Sequence, residues 1–318
     1  MSLPTNQQKT YRSLLALSVG DSTGEAHLGS SPQTEYKAGN VRQLRNLMTQ
    51  EITGYLPWTD DTAMAIGLYR ILTKYGTVNQ LELAKEFARN AKSDPQRGYG
   101  NGTSRLLFTY LYDADNWQEH SKNWWAAPDG RSTGSKGNGS AMRDTIIGPF
   151  FGSDLDRVAS EATLSAQVTH WHEDAIAGSV AVAVAAVIVS TCFPYGSANM
   201  AQFWPSITYR IPDGEMKSRI LAVYEESKDS TRTNWNIVGL VGNGGKVTAL
   251  DTVPFALWQA YTAITTGMTF EQTLTSIIEV GGDTDTVGAI VGGIIGNRIK
   301  PSQEWIDRTE PLPTDIEP

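Results

Sequence analysis

Apolar residues recur every three or four positions along most of this chain, the spacing at which side chains share one face of an α-helix. Segments with this spacing run throughout the sequence: KTYRSLLALSVG, TAMAIGLYRILTKYG, LELAKEFARNAK, TSRLLFTYLYDA, DLDRVASEATLSAQV, EDAIAGSVAVAVAAVIVS, GEMKSRILAVYEESK, TVPFALWQAYTAI and TFEQTLTSIIEV. Several end at a glycine, the residue that commonly closes a helix, at Gly76, Gly267 and Gly281. Alternating runs typical of strands are almost absent. The pattern therefore predicts an all-α protein.

The sequence contains no Pro- or Ser-rich linker that would separate two domains, so we expect one compact multi-helix domain over residues 1–318. Two glycine-rich stretches, Pro128–Arg143 and Val238–Leu250, are predicted to be loops on this body. The most apolar run, Val180–Val189, is half the length that a helix needs to span a bilayer. It therefore predicts a buried central helix.

A tryptophan-rich segment, NWQEHSKNWWAAPDGRS, lies outside any clear helical pattern. It contains Trp117, Trp124 and Trp125, three of the nine tryptophans of the chain. Two interpretations stay open. The segment is either an aromatic surface loop that shapes specificity, or a long loop whose aromatic side chains pack onto the body.

The composition excludes several classes of function. Apolar residues make up 40% of the chain and charged residues 19%, which is typical of a soluble globular protein. The formal net charge of −8 argues against sequence-independent binding to nucleic acid or to an anionic membrane. A single cysteine, Cys192, allows no internal disulfide and no CxxC-type zinc site. With no signal-peptide core near the N-terminus, we expect a soluble, cytoplasmic monomer.

The candidate chemistry begins at the quartet TDDT, Thr59–Thr62, which stands where a helix is predicted to start. Thr59 or Asp60 would serve as a helix cap, and acidic residues in a first turn complement the helix dipole. One oxygen is enough for a cap, however, and the adjacent carboxylates of Asp60 and Asp61 repel each other. A divalent cation would relieve that repulsion. A metal site and a decorated helix cap are both consistent with these residues.

A second acidic cluster follows much later in the chain, in GGDTDT, where Asp283 and Asp285 alternate with Thr284 and Thr286. Residues two apart do not share a face of a regular helix, so the two carboxylates converge only in a turn before one. The two preceding glycines supply the backbone freedom for this turn. The segment after it, TVGAIVGGIIGNRIK, predicts a helix of small residues that packs closely against a neighbour.

Oxygen donors without thiolates or clustered imidazoles favour a hard cation, Mg²⁺ or Mn²⁺, over zinc. The histidines of the chain are His27, His120, His170 and His172. A three-histidine zinc site would need nearly all of them. Roughly four to six oxygen ligands are enough for two adjacent ions, which can position a substrate and activate a water. The two Asp/Thr clusters therefore favour a site for two Mg²⁺ or Mn²⁺ ions over two decorated helix caps, and both interpretations stay open at this point.

Two further motifs bear on the ligand. The loop GSKGNGSAMR, Gly134–Arg143, runs into a predicted helix, SAMRDTIIGPFF, and glycine-loop amides at a helix start can hold phosphate oxygens. The loop is neither a Walker A loop nor a GxGxxG fingerprint. In THWHEDAIAG, His170 and His172 stand just ahead of the Ala/Val-rich helix. Taken alone, such histidines are more often packing or capping residues than catalysts.

In order along the chain, these motifs resemble those of the ADP-ribosylglycohydrolase family, which includes the dinitrogenase-reductase-activating type and the ADP-ribosylarginine and ADP-ribosylserine hydrolases. The matching pieces are GDSTGE, WTDDTAMA, GSKGNGSAMR, THWHEDAIAG and GGDTDTVGAIVGG. The resemblance implies an all-α domain with a cleft that holds two Mg²⁺ or Mn²⁺ ions. It also implies hydrolysis of the bond between C1″ of ADP-ribose and an acceptor, on a protein arginine or serine or on a small molecule.

The resemblance also assigns roles to individual positions. The matching metal ligands are Thr59, Asp60, Asp61, Asp283, Asp285 and Thr286. The matching ADP-ribose-binding residues are Gly134, Ser135, Gly137, Asn138, Gly139 and His170. In that arrangement Asp60 or Asp61 would act as the general base toward the attacking water.

The chain departs from the family pattern at two positions. Leu28 stands where the family commonly has a glutamate, four residues after the GDxxG motif, and the nearest acid is Glu25, a candidate catalytic residue. Lys136 replaces a frequent tyrosine of the phosphate loop and would bring a cation to a diphosphate. Asp21 is interpreted as a polar residue at a helix end rather than as a support for the metal site. The Leu28 departure keeps a second function open, that of a non-catalytic ADP-ribose-binding or structural protein.

Overall fold

The computed structural model describes residues 5–27, 55–125, 132–191 and 200–318. Within these ranges the chain forms α-helices joined by turns and loops, and its only β-structure is two isolated bridges. The all-α prediction is confirmed. Leu28, Cys192 and residues 128–131 of the glycine-rich loop lie outside the described residues.

The helices are numbered in chain order. They are α1 (Asn6–Glu25), α2 (Asp60–Tyr75), α3 (Gln80–Ser93), α4 (Asn101–Asp113), α5 (Trp117–Asn123), α6 (Ala141–Asp144), α7 (Ile147–Phe151), α8 (Leu155–Gln167), α9 (Glu173–Thr191), α10 (Phe203–Arg210), α11 (Glu215–Glu226), α12 (Asn234–Val241), α13 (Ala249–Thr266), α14 (Phe270–Ile278), α15 (Thr284–Ile295) and α16 (Gln303–Arg308). Short 3-10 turns lie at Ala114–Asn116 and Thr314–Ile316.

Local sequence signals fix the ends of several longer helices. Thr5 and Thr269 begin α1 and α14 with capping boxes, in which side chain and backbone satisfy each other's hydrogen bonds. Gly76 and Gly267 close α2 and α13 in the left-handed conformation, with φ of 69° and 72°, as predicted. Gly281 differs from the prediction, because it lies beyond the end of α14, in the turn that leads to α15.

The core is built around α9, as its apolar run predicts. Every residue from Ala177 to Val189 is buried, and their small side chains allow neighbouring helices to pack on all sides. By length and composition α9 could cross a membrane, but 78% of its apolar window is buried inside the protein. That burial is typical of the core helix of a globular protein.

Helices α1 and α15 pack backbone to backbone. A Cβ atom at Gly20 would lie 2.1 Å from the carbonyl oxygen of Gly288, and one at Gly24 would lie 2.2 Å from that of Thr284. Only glycine permits so close an approach. The hydroxyl of Thr284 also donates to the carbonyl of Gly24 at 2.9 Å. The small-residue helix therefore packs closely against a neighbour, as predicted, and Asp285 is placed beside the end of α1.

Some short elements differ from the predictions. The segment SAMRDTIIGPFF forms two helices, α6 and α7, because Pro149 has no amide hydrogen to donate to the carbonyl of Thr145. The predicted loop Val238–Leu250 begins inside α12, and Trp117 lies on α5. These helices contain at most about two turns, too few for apolar periodicity to reveal them.

Candidate active site

Thr59, Asp60 and Asp61 form the entry to α2. Thr59 is the helix cap, since its Oγ1 accepts a hydrogen bond from the amide of Asp61 at 3.3 Å. The amide of Asp60 donates to the carbonyl of Arg97 at 2.6 Å. The capping interpretation is thus correct for Thr59, and neither Asp carboxylate is used as the cap.

Asp21 supports this entry from α1. Its carboxylate accepts from the amide and hydroxyl of Thr59, both at 2.9 Å, and from the amide and hydroxyl of Thr62, at 3.1 and 2.6 Å. Asp21 lies within α1, before its last turn, and its side chain is fully buried in the protein. This burial raises the pKa of Asp21 to about 7. The interpretation as a helix-end polar residue is therefore wrong. The sequence pattern of α1 does not show which of its polar side chains face inward.

Asp283, Asp285 and Thr286 lie at the start of α15. Asp283 is the N-cap residue and Asp285 lies in the first turn. The preceding Gly281 and Gly282 have φ of 64° and 92°, a conformation that glycine adopts without strain. The acidic cluster therefore lies in a glycine-dependent turn, as the sequence predicts.

One cleft of about 600 Å³ joins both acidic clusters to the glycine-rich loop. Its lining includes Asp60, Asp61, Asp283, Asp285 and Thr286 together with Ser135, Gly137, Asn138, Gly139 and His170. An adjoining recess of about 540 Å³ shares Asp60, Asp283 and Asp285 and adds Thr59 and Glu25. Motifs far apart in the sequence therefore face the same space.

The acidic side chains of the cleft oppose each other's ionisation. Burial, followed by the charges of Asp21 and Asp285, raises the pKa of Asp60 to about 8. Burial and the neighbouring Asp283 raise the pKa of Asp285 to about 8. The pKa of Asp61 is raised well above its ordinary value, mainly by burial and then by the surrounding carboxylates. Protons or a cation must balance this concentration of negative charge.

The donor set fits divalent cations. Within the part of the chain that the structure describes, Oδ1 of Asp61 and Oδ1 of Asp285 are buried without a hydrogen-bond partner, whereas buried polar atoms are normally paired. Carboxylate and hydroxyl oxygens are the ligands that Mg²⁺ and Mn²⁺ prefer. Across the described ranges, no three acidic, histidine or cysteine side chains already converge at metal-bonding distance. Because like charges repel, a cation is what would draw these carboxylates together.

The glycine-rich loop lies against His170. A Cβ atom at Gly139 would lie 2.8 Å from Cε1 of the imidazole, and one at Gly137 would lie 3.2 Å from its Nε2. The amide of Gly137 donates to Oγ of Ser135 at 3.2 Å, which holds the loop in a tight turn. The missing side chains thus allow the loop backbone to lie against the imidazole, and both line the same cleft.

His170 is a neutral imidazole at neutral pH. It is 2% exposed, and burial together with the charge of Arg143 lowers its pKa to about 3. Its Nδ1 lies 2.8 Å from Oγ1 of Thr169. When Thr169 donates to Nδ1, the ring proton is on Nε2, beside the loop. In that tautomer His170 is a hydrogen-bond donor at the phosphate-type loop.

Arg143 lies beneath the same loop and is fully buried. Its Nη1 donates to the carbonyl of Gly139 and its Nη2 to the carbonyl of Ser165, both at 2.9 Å. Burial lowers the pKa of Arg143 to about 10, so the guanidinium is still charged at neutral pH. The buried carboxylate of Asp144, 3.8 Å from Nε of Arg143, offsets part of this charge, and the remainder favours an anion above the loop.

The other residues of the loop differ in their positions. Asn138 connects the loop to the second acidic cluster, since its Nδ2 donates to Oδ2 of Asp283 at 2.6 Å. Gly134 is buried and shapes the loop from behind, where a Cβ atom would lie 2.4 Å from Cβ of Trp171. Lys136 is exposed and is not brought into the cleft lining, because its backbone turns to accept from the first amide of α13. Lys136 is therefore outside the cleft lining, and its contact with a diphosphate stays a prediction.

Two further candidates lie at the edges of the site. Glu25, the last residue of α1, is exposed and lines the adjoining recess. Partial burial and the charge of Asp285 raise its pKa. His172 accepts a hydrogen bond at Nδ1 from the amide of Asp174 at 3.2 Å, at the start of α9. His172 is therefore a capping residue, the ordinary role for a histidine at that place.

Sequence reasoning did not single out Arg105 or Val247, which line the cleft beside Trp124 and Trp125. A lone arginine on a helix and a lone valine in a loop carry no motif that would mark them. The tryptophan-rich segment was the available signal. Trp125 is 54% exposed, in keeping with the surface-loop interpretation, while Trp117 lies on a helix and its ring centroid is 6.3 Å from that of Trp171.

Comparison with known proteins gives the class of enzyme to which this site belongs. The profile of the ADP-ribosylglycohydrolase family matches residues 2–317. The chain belongs to the ADP-ribosylglycohydrolase family. It is a hydrolase of glycosidic bonds, in a family that acts on ADP-ribosylated substrates and uses divalent metal ions.

Individual proteins and a solved structure are also similar to this chain. The chain is 28% identical over 269 residues to the ADP-ribosylhydrolase ARH3 of Bos taurus, covering 77% of this chain and 71% of that protein. It is 28% identical over 271 residues to the human ADP-ribosylhydrolase ARH3, covering 77% and 72%. A solved structure titled "ADP-ribosylglycohydrolase-related protein complex" superposes with a TM-score of 0.65 and 21% identity, over 97% of this chain and 94% of that one. The last likeness shows a common fold.

Proposed function

We propose that this protein is a Mg²⁺-dependent ADP-ribosylhydrolase, in which a water molecule cleaves the bond between C1″ of ADP-ribose and an acceptor. The observation that carries the proposal is the single cleft lined by Asp60 and Asp61, by Asp283 and Asp285, and by the glycine-rich loop. Similarity to proteins named ADP-ribosylhydrolase ARH3 supports the substrate class. The acceptor is a protein arginine or serine, or a small molecule.

The glycine-rich loop binds the diphosphate in this proposal. Its backbone lies against His170, which supplies a neutral donor to the same cleft, and Arg143 provides a buried positive charge beneath the loop. Both groups are already buried, and neither has to change its protonation state when the anion binds. The bond from Asn138 to Asp283 fixes the loop relative to the second acidic cluster, so binding at the loop places the distal ribose near the carboxylates.

The cation ligands proposed for this chain are Thr59, Asp60, Asp61, Asp283, Asp285 and Thr286. Divalent ions bound there would supply Lewis acidity and lower the pKa of a bound water. Asp60 or Asp61 takes the proton of the attacking water as general base. Positive charge that develops at C1″ lies among carboxylates, which stabilise it electrostatically. Glu25, which lines the adjoining recess, is a further candidate catalytic residue in this proposal.

Release of ADP-ribose from ADP-ribosylated arginine and serine peptides tests the proposal. Turnover is expected with Mg²⁺ and is expected to stop in EDTA and in the Asp61→Ala variant. Calorimetry with ADP-ribose, performed in parallel, separates an enzyme from a non-catalytic binder. Tight binding with no turnover on any ADP-ribosylated substrate would contradict the proposal and favour the binder.

A further inference from the structure

The side chain of Arg97 joins three separate segments beside the first acidic cluster. Its Nε donates to Asp94 at 2.6 Å, and its Nη1 and Nη2 donate to the two carboxylate oxygens of Glu310 at 2.6 and 2.7 Å. Nη1 also donates to the carbonyl of Trp58 at 2.9 Å, and the guanidinium lies 3.6 Å from the centroid of the Trp58 ring. The side chain is only 16% exposed. Each of the three guanidinium nitrogens therefore donates to a neighbouring group.

The backbone at Arg97 contacts the proposed metal ligands directly. Its carbonyl accepts from the amide of Asp60 at 2.6 Å, at the first residue of α2. The next residue, Gly98, has φ of 86°, and a Cβ atom there would lie 3.7 Å from Oδ1 of Asp60 and 3.9 Å from Cβ of Thr59. The connection after α3 thus forms one wall around Thr59 and Asp60.

The partner of Arg97 is itself fixed to the strand-like segment that leads into α2. The amide of Glu310 donates to the carbonyl of Leu56 at 2.9 Å, and the amide of Leu56 donates to the carbonyl of Arg308 at 2.7 Å. Residues 56–60 are therefore held between the C-terminal segment on one side and Arg97 on the other. A shift of Thr59 or Asp60 would therefore disturb these contacts.

We propose that Arg97 is a positioning residue, which through Glu310 and Trp58 fixes Thr59 and Asp60 in the geometry that binds divalent cations. The inference rests on the proposed function only in taking those two residues as metal ligands. Arg97 lines the adjoining recess, but its guanidinium is already bonded to Asp94, Glu310 and Trp58, so we assign it to positioning and not to contact with substrate or ion. Its effect is on the affinity for the cation and on turnover, and not on the binding of the diphosphate, which occurs at the glycine-rich loop.

Arginine is required for this geometry. A planar guanidinium donates in parallel to both oxygens of Glu310 and still stacks on an aromatic ring, whereas an ammonium group is a point charge. We therefore expect Arg97→Lys to keep part of the effect and Arg97→Gln to lose it. Glu310→Gln, which removes the bidentate acceptor without changing Arg97, provides a milder variant that leaves the stacked pair in place.

Arg70 provides a matched control. It also forms a bidentate ion pair with the C-terminal segment, since its Nε and Nη2 donate to the two carboxylate oxygens of Asp315 at 2.9 and 3.0 Å. Arg70 lies late in α2, away from Thr59 and Asp60. Arg70→Gln therefore removes a comparable contact between α2 and the C-terminal segment without affecting the entry to the helix.

The experiment compares wild type, Arg97→Lys, Arg97→Gln, Glu310→Gln and Arg70→Gln. For each, melting temperature is measured against Mg²⁺ concentration, ADP-ribose affinity is measured by calorimetry in EDTA, and kcat and KM are measured on the best ADP-ribosylated peptide. Changes in groups that orient metal ligands typically cost about 10–100-fold in metal affinity or activity. We expect Arg97→Gln to raise the half-saturating Mg²⁺ concentration at least about tenfold, with Arg97→Lys and Glu310→Gln between it and wild type.

The expected result also includes unchanged ADP-ribose affinity in EDTA and a loss in kcat rather than a rise in KM. Equal Mg²⁺ half-saturation in Arg97→Gln and Arg70→Gln would overturn the inference and leave only a structural ion pair. If wild type binds Mg²⁺ but hydrolyses nothing, the proposed function fails, while the Mg²⁺ titrations still decide the role of Arg97. If Arg97→Gln does not fold, Glu310→Gln decides it by the same comparison.

Discussion

Asp61 shows why a capping interpretation is incomplete at the residue scale. Thr59 caps α2 with its hydroxyl, and Asp61 keeps a buried Oδ1 that has no hydrogen-bond partner among the described residues. Four acidic side chains surround it closely enough to raise its pKa. A carboxylate that only served the helix terminus would be exposed to solvent, where water weakens its repulsion by neighbouring carboxylates.

Asp61→Asn is expected to separate stability from function. The amide removes one buried negative charge, so the protein without added metal should melt a few degrees higher than wild type. The increase in melting temperature that Mg²⁺ produces in wild type should be lost, and turnover should fall by about a hundredfold or more. Scanning calorimetry with and without Mg²⁺ measures the first two effects. A variant that melts lower and still responds fully to Mg²⁺ would show that Asp61 is not a cation ligand.

Gly139→Ala tests the phosphate loop at the same scale. The added methyl group would lie 2.8 Å from Cε1 of His170, so the loop or the ring has to move. ADP-ribose affinity should fall by about tenfold or more, since a loop that misplaces its donors loses at least one hydrogen bond to a charged group. The Mg²⁺-dependent increase in melting temperature should be retained. Calorimetry gives the affinity, and unchanged binding would place the diphosphate elsewhere.

At the scale of elements, the site depends on the contact between α1 and α15. The glycines of α1 let its backbone approach α15, and that approach brings Asp21 close enough to Asp285 for their charges to interact. The same two helices come from opposite ends of the described chain. A change in their spacing therefore changes the acidic cluster even where no acidic residue is altered.

Gly24→Ala should disturb that spacing. Its Cβ atom would lie 2.2 Å from the backbone carbonyl oxygen of Thr284, so the two helices would have to move apart. We therefore expect a loss of about 1–3 kcal/mol in the free energy of unfolding. The Mg²⁺ concentration for half-maximal stabilisation should rise as well, because Asp285 moves with the start of α15.

Gly239→Ala is the control for that prediction. Gly239 lies in α12 with no atom within 4 Å of its added methyl group. It should gain about 0.5–1 kcal/mol from helix propensity and leave the Mg²⁺ response unchanged. Denaturant titrations measure both variants, and a Gly24→Ala protein as stable as wild type would contradict the close packing of α1 and α15.

The sequence predicted long elements better than short ones. Helices such as α2 and α9 have enough turns for apolar spacing and glycine caps to define them. The helices α5, α10 and α12 have seven or eight residues each, and aromatic or glycine-rich composition obscured them. The break between α6 and α7 could be read from Pro149, but only once the chain around it was known to be helical.

For the whole molecule, the two acidic clusters and the loop could be predicted because each has a local motif. Their supports could not. Asp21, Arg97 and Arg143 act through burial and through contacts with residues far along the chain, such as the bond from Arg97 to Glu310. No spacing in the sequence encodes such contacts. Lys136 is the converse case, in which a residue inside the motif turns out of the cleft.

Saturating Mg²⁺ should stabilise the whole protein, because the proposed ligands come from α2 and α15 and the entry to α2 is tied to the C-terminal segment. A cation at a hundred times its dissociation constant contributes about 2.7 kcal/mol if it binds only the folded state. The melting temperature should therefore rise by several degrees with Mg²⁺ and return to its starting value in EDTA. Absence of any shift up to millimolar Mg²⁺ would contradict a cation site of useful affinity.

The most direct test is a crystal structure with Mn²⁺ and ADP-ribose, in which anomalous scattering locates the ions. The predicted result is two adjacent ions in the cleft, coordinated by oxygens from both Asp60/Asp61 and Asp283/Asp285, with the diphosphate on the glycine-rich loop. Ions held by only one acidic cluster, or clusters that remain more than roughly 8 Å apart with ADP-ribose bound, would contradict a shared two-metal site.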